Sequence, residues 1–126
     1  MSNFNLNIKA TNMDLTADLR NHIEQKISHI EKFFKLNPDE LIIVEFEVEK
    51  ITGEHHKNGQ IFRSEINLTH KGTLLRTEST QEDILSAIEE SCDEMVRRVR
   101  KNKERKIHLI RRGGNAIKKF LKFGRE

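Results

Sequence analysis

Apolar and polar residues alternate at the start of this chain. Phe4, Leu6, Ile8 and Ala10 interleave with Asn3, Asn5, Asn7 and Lys9, and a period of two predicts a half-buried strand. Thr16 then offers an N-cap with Asp18 in the first turn. From there Leu19, Ile23, Ile27, Ile30 and Phe34 recur at spacings of three and four. That is one apolar stripe on a helix of about five turns, ended by Asn37-Pro38-Asp39. Alternation returns over Leu41–Ile51, with Ile42, Val44, Phe46 and Val48 opposite Glu45, Glu47 and Glu49. Gly53–Gly59 reads as a loop. Phe62, Ser64, Ile66 and Leu68 next share a face opposite Arg63, Glu65, Asn67 and Thr69. Lys71-Gly72 signals a tight turn, followed by a strand with Leu75, Thr77 and Ser79 inward and Arg76 and Glu78 outward.

From about Glu82 the helical period resumes. Ile84, Ile88, Cys92, Met95 and Val99 form its stripe, with Leu85 and Val96 beside it and Glu82 and Asp83 in the first turn. Arg100–Lys106 contains no apolar residue, so a helix continuing through it has no face to bury and must project beyond the sheet. Arg112-Gly113-Gly114 breaks it, leaving a short basic amphipathic tail with Ile117, Phe120, Leu121 and Phe123.

The predicted order is β-α-β-β-β-α, an α+β fold. The helical crossover makes the first two strands parallel, and short connections make the rest antiparallel hairpins. Each strand has a single apolar face, so both helices cover one side of a four-stranded mixed sheet and the glutamate-rich side meets water. At 126 residues without an internal repeat, one domain is expected over residues 1–110, with a basic tail over 111–126. The chain shows no secretory signal, and its longest apolar run, Leu41–Val44, is far short of a membrane span. The single cysteine, Cys92, has no internal disulfide partner. These features favour the cytoplasm.

Charge changes the picture. Residues 97–126 hold thirteen basic and two acidic side chains, a net of +11, whereas residues 1–96 carry a net of −8. The whole-chain value of +3 conceals that polarity. Arg97, Arg98, Arg100, Lys101, Lys103, Arg105 and Lys106 fall within ten residues, opposed only by Glu104. Such density points to a polyanion, nucleic acid above all. Arg20, Lys26 and Lys32 avoid the apolar stripe of the first helix and extend the patch. With no Trp or Tyr in the chain, and Phe4, Phe46 and Phe62 claimed by strands, base stacking on the sheet is disfavoured. Contact through phosphate and shape is favoured instead.

Candidate chemistry elsewhere is thin. His55 and His56 are adjacent and lack partners at metal-ligand spacing, so a polar loop explains them. Cys92 lies on an apolar stripe, which suits a buried structural thiol. The outward glutamates face Arg63 and Arg76 across the sheet, which suits cross-strand ion pairing. The Gly-Gly of the tail lacks the context of a phosphate loop. No catalytic constellation, metal site or cofactor is expected.

Ordered motifs over about a hundred residues resemble the ribosome hibernation promoting factors, also called ribosomal subunit interface or sigma-54 modulation proteins. They are Leu6-Asn7-Ile8, Leu15-Thr16-Ala17-Asp18-Leu19-Arg20, and Lys26 with Ile30-Glu31-Lys32-Phe33-Phe34. Thr73-Leu74-Leu75-Arg76-Thr77-Glu78 and Glu82-Asp83-Ile84-Leu85-Ser86-Ala87-Ile88-Glu89 follow, then the basic end of the last helix. The resemblance implies a fold similar to a double-stranded RNA-binding domain. It also implies binding to ribosomal RNA of the small subunit, in the channel used by messenger and transfer RNA, and to the whole ribosome. Silencing and preservation of idle ribosomes in starved or stationary cells follow, without catalysis or a small-molecule substrate.

By matched position, RNA contact is carried to Arg20, Lys26, Lys32, Arg97, Lys101, Lys103 and Arg105; Arg98 and Arg100 join on charge. Leu85 replaces the family's tyrosine, and His29 stands where a lysine is common, making that contact pH-dependent. With Glu126 last, there is no room for the C-terminal dimerisation domain of long members, so a monomeric short form is expected. Two alternatives are a general double-stranded RNA-binding module and a membrane-surface protein anchored by its tail. The acidic start of the last helix speaks against the first. The shortness of the Ile117–Phe123 stretch speaks against the second.

Overall fold

A computed structural model describes residues 4–34, 40–51 and 61–111, with side chains described as far as residue 103. The elements are β1 (Phe4–Thr11), α1 (Ala17–Glu31), β2 (Ile42–Ile51), β3 (Ile61–His70), β4 (Thr73–Gln81) and α2 (Ile84–Arg111). The strands lie side by side in chain order. β1 runs parallel to β2, with Ile8 opposite Phe46; β2–β3 and β3–β4 are antiparallel. This is the expected mixed sheet. The loop expected over Gly53–Gly59, the Asn37-Pro38-Asp39 breaker and the tail from Arg112 lie outside the described residues.

Local chemistry sets the boundaries. Thr16 caps α1, its hydroxyl accepting from the Leu19 N–H at 3.1 Å, and Asp18 sits in the first turn. α1 ends at Glu31, one turn earlier than the periodicity predicts. The N–H groups of Phe33 and Phe34 donate back three residues, to the carbonyls of Ile30 and Glu31 at 3.0 Å each, tightening the chain out of α-helical geometry. Phe34 thus leaves the helical stripe. Its ring packs edge-on against Phe4 and His70, with centroids 5.6 and 5.4 Å apart. At the β3–β4 turn Lys71 and Gly72 have φ of 50° and 77°, the two positive values of a type I′ hairpin, which glycine takes most readily.

α2 begins at Ile84, so Glu82 and Asp83 precede it rather than filling its first turn. Asp83 is the cap: its Oδ2 accepts from the Ser86 N–H at 3.0 Å and its carbonyl from the Ala87 N–H at 3.1 Å. Its stripe also differs from expectation. Leu85 is exposed, while Ala87 and Ser91 are fully buried. The cause is close approach. Where α2 crosses β3 and β4 the buried residues are small: Ser64, Thr77, Ser79, Ala87 and Ser91. Ser91 Oγ donates to the Ile88 carbonyl at 3.0 Å and so accepts from Ser64 Oγ at 2.8 Å. Thr77 donates to the Ser91 carbonyl at 2.9 Å. Larger side chains would push the helix away.

The core lies between the helices and one sheet face. It joins Leu19, Ile23, Ile27 and Ile30 of α1 to Ile42, Val44, Phe46 and Val48 of β2, Ile66 and Leu68 of β3, and Ile88, Cys92, Met95 and Val99 of α2. Beyond Val99, the last buried residue among those described, α2 continues to Arg111. That is about 18 Å of helix at ~1.5 Å per residue beyond the last buried side chain described.

Candidate nucleic-acid interface

The described basic residues of α2 divide between two flanks. Arg97, Arg98 and Lys101 face the β4 side, where with Leu75, Glu94 and Asn102 they line an open groove of about 490 Å³. Glu94 accepts from Arg97 Nη2 at 2.7 Å and from Arg98 Nε at 3.5 Å. The Arg97 hydrogen bond leads in holding the Glu94 carboxyl below the usual glutamate range. One carboxylate thus steadies two guanidinium groups, whose side chains remain 65% and 53% exposed.

The other flank faces α1. Lys26 Nζ donates to Glu89 Oε2 at 2.6 Å, and that hydrogen bond raises the Lys26 ammonium above the ordinary lysine range. His22 Nε2 lies 3.4 Å from the other oxygen of Glu89 without hydrogen-bond geometry. Arg100 lies about three turns beyond Glu89, at ~3.6 residues per turn, and so shares this flank; it is exposed. Lys103 Nζ reaches the Phe33 carbonyl at 3.5 Å. Lys32, the exposed C-cap of α1, directly precedes Phe33 and so stands beside the basic end of α2.

Arg20 is exposed and lies about 120° around α1 from Lys26, at ~100° per residue. The side chain of Arg105 lies outside the described residues. Sequence reading missed Glu89 and Glu94 as built-in counter-charges. Glu94 stands three and four residues before Arg97 and Arg98, a legible helical spacing; the Lys26–Glu89 pair joins distant segments and has no local signal.

The open sheet face is the electrostatic opposite. Arg63 pairs with Glu47 and Glu49 at 2.9 Å each, and with Glu65; Arg76 reaches Glu65 and Glu78 at 3.3 and 3.4 Å. The cross-strand pairing predicted for this face is present. Cys92 is 3% exposed in the core, and burial pushes its thiol up to about 12, as a structural thiol requires. Among the described residues no three His, Cys, Asp or Glu side chains converge as a metal site; His55 and His56 lie outside them. No described helix is long and apolar enough to cross a membrane.

This geometry has relatives. The chain is 26% identical over 111 residues to the ribosome hibernation promotion factor of Bacillus subtilis (strain 168), covering 88% of this chain and 54% of that protein. It is 28% identical over 120 residues to the ribosome hibernation promotion factor of Lactococcus lactis subsp. cremoris (strain MG1363), covering 95% and 59%. The chain therefore spans little more than half the length of these curated relatives. Its fold is similar to the N-terminal domain of Thermus thermophilus Protein Y, with a TM-score of 0.62 at 20% identity, over 77% of this chain and 97% of that one. It is also similar to a ribosomal subunit interface protein from Coxiella burnetii, with a TM-score of 0.59 at 11% identity, over 79% and 97%. The model of one family, described as sigma 54 modulation protein / S30EA ribosomal protein, matches residues 6–107, from β1 into the projecting part of α2, and the chain belongs to that family.

Proposed function

We propose that this protein is a ribosome hibernation factor. It binds ribosomal RNA of the small subunit in the messenger and transfer RNA channel, inhibits translation, and preserves idle ribosomes under stress or in stationary phase. The observation that carries this reading is the basic end of α2 projecting past the core, in a chain of this family. Its cations lie where apolar packing no longer constrains them, and their spacing suits phosphate oxygens. The protein acts by occupancy, as a cytoplasmic, non-enzymatic factor. Residues 1–110 form the ribosome-binding domain and 111–126 a basic extension. Arg97, Arg98, Arg100, Lys101, Lys103 and Arg105 contact RNA, with Lys32 beside them. Lys26 contributes only when phosphate displaces Glu89, and Arg20 makes a separate contact from the far flank of α1.

Co-sedimentation with purified small subunits across a salt series tests the reading. Affinity falls steeply with salt, because each phosphate contact releases counterion. The triple substitution Lys101→Glu, Lys103→Glu and Arg105→Glu abolishes binding and leaves the melting temperature within a few degrees, since all three follow Val99. Undiminished binding by that variant refutes the surface. Translation unaffected by saturating wild-type protein in a cell-free reaction refutes the function.

A further inference from the structure

Beside the basic groove lies a second, smaller cavity of about 190 Å³. Its walls are Phe33 and Phe34 at the end of α1, His70 and Leu75 of the β3–β4 hairpin, and Val99 of α2. The aromatic wall is held in place: Phe34 stands edge-on between Phe4 and His70, and His70 Nε2 lies 3.3 Å from Glu40. Asn102 and Lys103 stand at its mouth. Leu75 and Asn102 also line the larger groove, so the two cavities adjoin. The apolar slot is therefore bordered by Lys103 at its mouth and by the groove of Arg97, Arg98 and Lys101.

We infer that this slot receives one unstacked nucleobase of the bound RNA, with the flanking phosphates on the cationic rim; the inference rests on the ribosomal RNA reading above. Size, chemistry and charge agree. The cavity is below the ~300–1,000 Å³ typical of sites for drug-sized ligands, which suits a single ring system and leaves the sugar outside. Aromatic and aliphatic walls take the faces of a base whatever its identity. The Asn102 amide presents a donor beside an acceptor, the complement of a base edge. The weak 3.5 Å contact of Lys103 with the Phe33 carbonyl yields readily to a phosphate. An apolar protein side chain in the slot would leave the rim cations uncompensated, and a second copy of this chain would bring like charges together. The site lies where the end of α1 meets α2, and none of its lining residues belongs to the ion-paired sheet face.

The substitution Asn102→Phe fills the slot without altering charge. Asn102→Ala removes the amide and keeps the space. The first probe is a short oligouridylate carrying a single 2-aminopurine, titrated with the full chain. Wild-type protein changes the 2-aminopurine emission. Asn102→Phe abolishes that change and weakens binding about tenfold with the salt slope unaltered, while Asn102→Ala gives a smaller loss. Emission unaltered at saturation by the wild type, or altered equally by Asn102→Phe, overturns the inference. The second probe is the small subunit itself. Dimethyl sulfate reactivity of a few bases changes with the wild type and not with Asn102→Phe, whose phosphate protections persist. Equal affinity and identical base reactivities for the two proteins overturn the slot while leaving the ribosomal reading intact. Emission change on the oligomer without any binding to subunits overturns the ribosomal reading and upholds the slot.

Discussion

Arg63 sits at the centre of the open sheet face, and its position follows from strand order. β3 lies between β2 and β4, so an outward arginine on it meets glutamates from both neighbours and from its own strand. Alternation alone placed Glu45, Glu47, Glu49, Arg63 and Arg76 on this face. It did not distinguish Arg63 as the hub, because parity fixes the side and only the register, Glu49 opposite Arg63 and Glu47 opposite Glu65, fixes the neighbours. Burial works against the Arg63 charge, but hydrogen bonds to Glu49, Glu65 and Glu47 outweigh it and raise its pKa. The Asn67 amide, and after it Arg63, hold the Glu65 carboxyl below the usual glutamate range. Because that folded value is depressed, its stabilisation is complete above about pH 4.3 and is lost as pH falls through the lowered value. Replacing Arg63 by Met removes the cation that Glu47, Glu49 and Glu65 share, and the carboxylates then repel one another until protonation relieves them. Urea unfolding should show Arg63→Met destabilised by about 2 kcal/mol at pH 7, with the deficit shrinking as pH falls toward 4.5. An equal deficit at both pH values contradicts this account.

The elements show where pattern reading works and where it stops. Strands and helices were legible because burial on one side imposes a period. The β3–β4 turn was legible because few residues accept two successive positive φ values. Errors arose at helix ends and at the helix–sheet contact. Phe34 fitted the α1 stripe, but the tertiary pull of Phe4 and His70 took it out. Leu85, expected beside the apolar stripe, is exposed, while Ser91 is buried. The register of α2 against the sheet decides this, because close approach over β3 and β4 selects small residues and a hydroxyl is tolerated when its partners are built in. The Ser64–Ser91 bond predicts a measurable coupling. Ser91→Ala removes the acceptor of Ser64 and should cost about 1–2 kcal/mol. Ser64→Ala should cost less, since Ser91 keeps its Ile88 partner. In the double variant no hydroxyl is stranded, so the combined loss should fall short of additivity by about 1 kcal/mol in chemical denaturation. Full additivity would show that the 2.8 Å contact contributes nothing.

At the scale of the molecule, on the proposed RNA-binding reading, charge asymmetry sets which side turns toward a polyanion. The charge block was legible as sequence, as was its escape from the core, since Arg100–Lys106 offers no apolar residue to bury. What sequence could not show is that carboxylates discipline the cations on both flanks: Glu94 steadies Arg97 and Arg98, and Glu89 withholds Lys26. The opposite face carries an excess of glutamate across β2, β3 and β4, so a polyanion approaching from that side is repelled while one approaching α2 is attracted. Such a field acts mainly on orientation and on discrimination between partners. Removing charge from the acidic face should therefore cost selectivity more than affinity. Glu45 and Glu78 are exposed, and Glu45→Gln with Glu78→Gln keeps side-chain size and spares the Arg63 contacts with Glu47, Glu49 and Glu65. Long-range repulsion is screened over a Debye length of about 8 Å at physiological salt, so the effect is clearest at low ionic strength. There the double variant should bind random-sequence duplex RNA several-fold more tightly than the wild type in a filter assay, with affinity for small subunits changed by less than a factor of about two. The ratio of the two affinities falls, and raising the salt closes the gap. Unchanged duplex binding at low salt would mean that the acidic face merely stabilises the sheet and has no part in turning the basic end of α2 toward RNA.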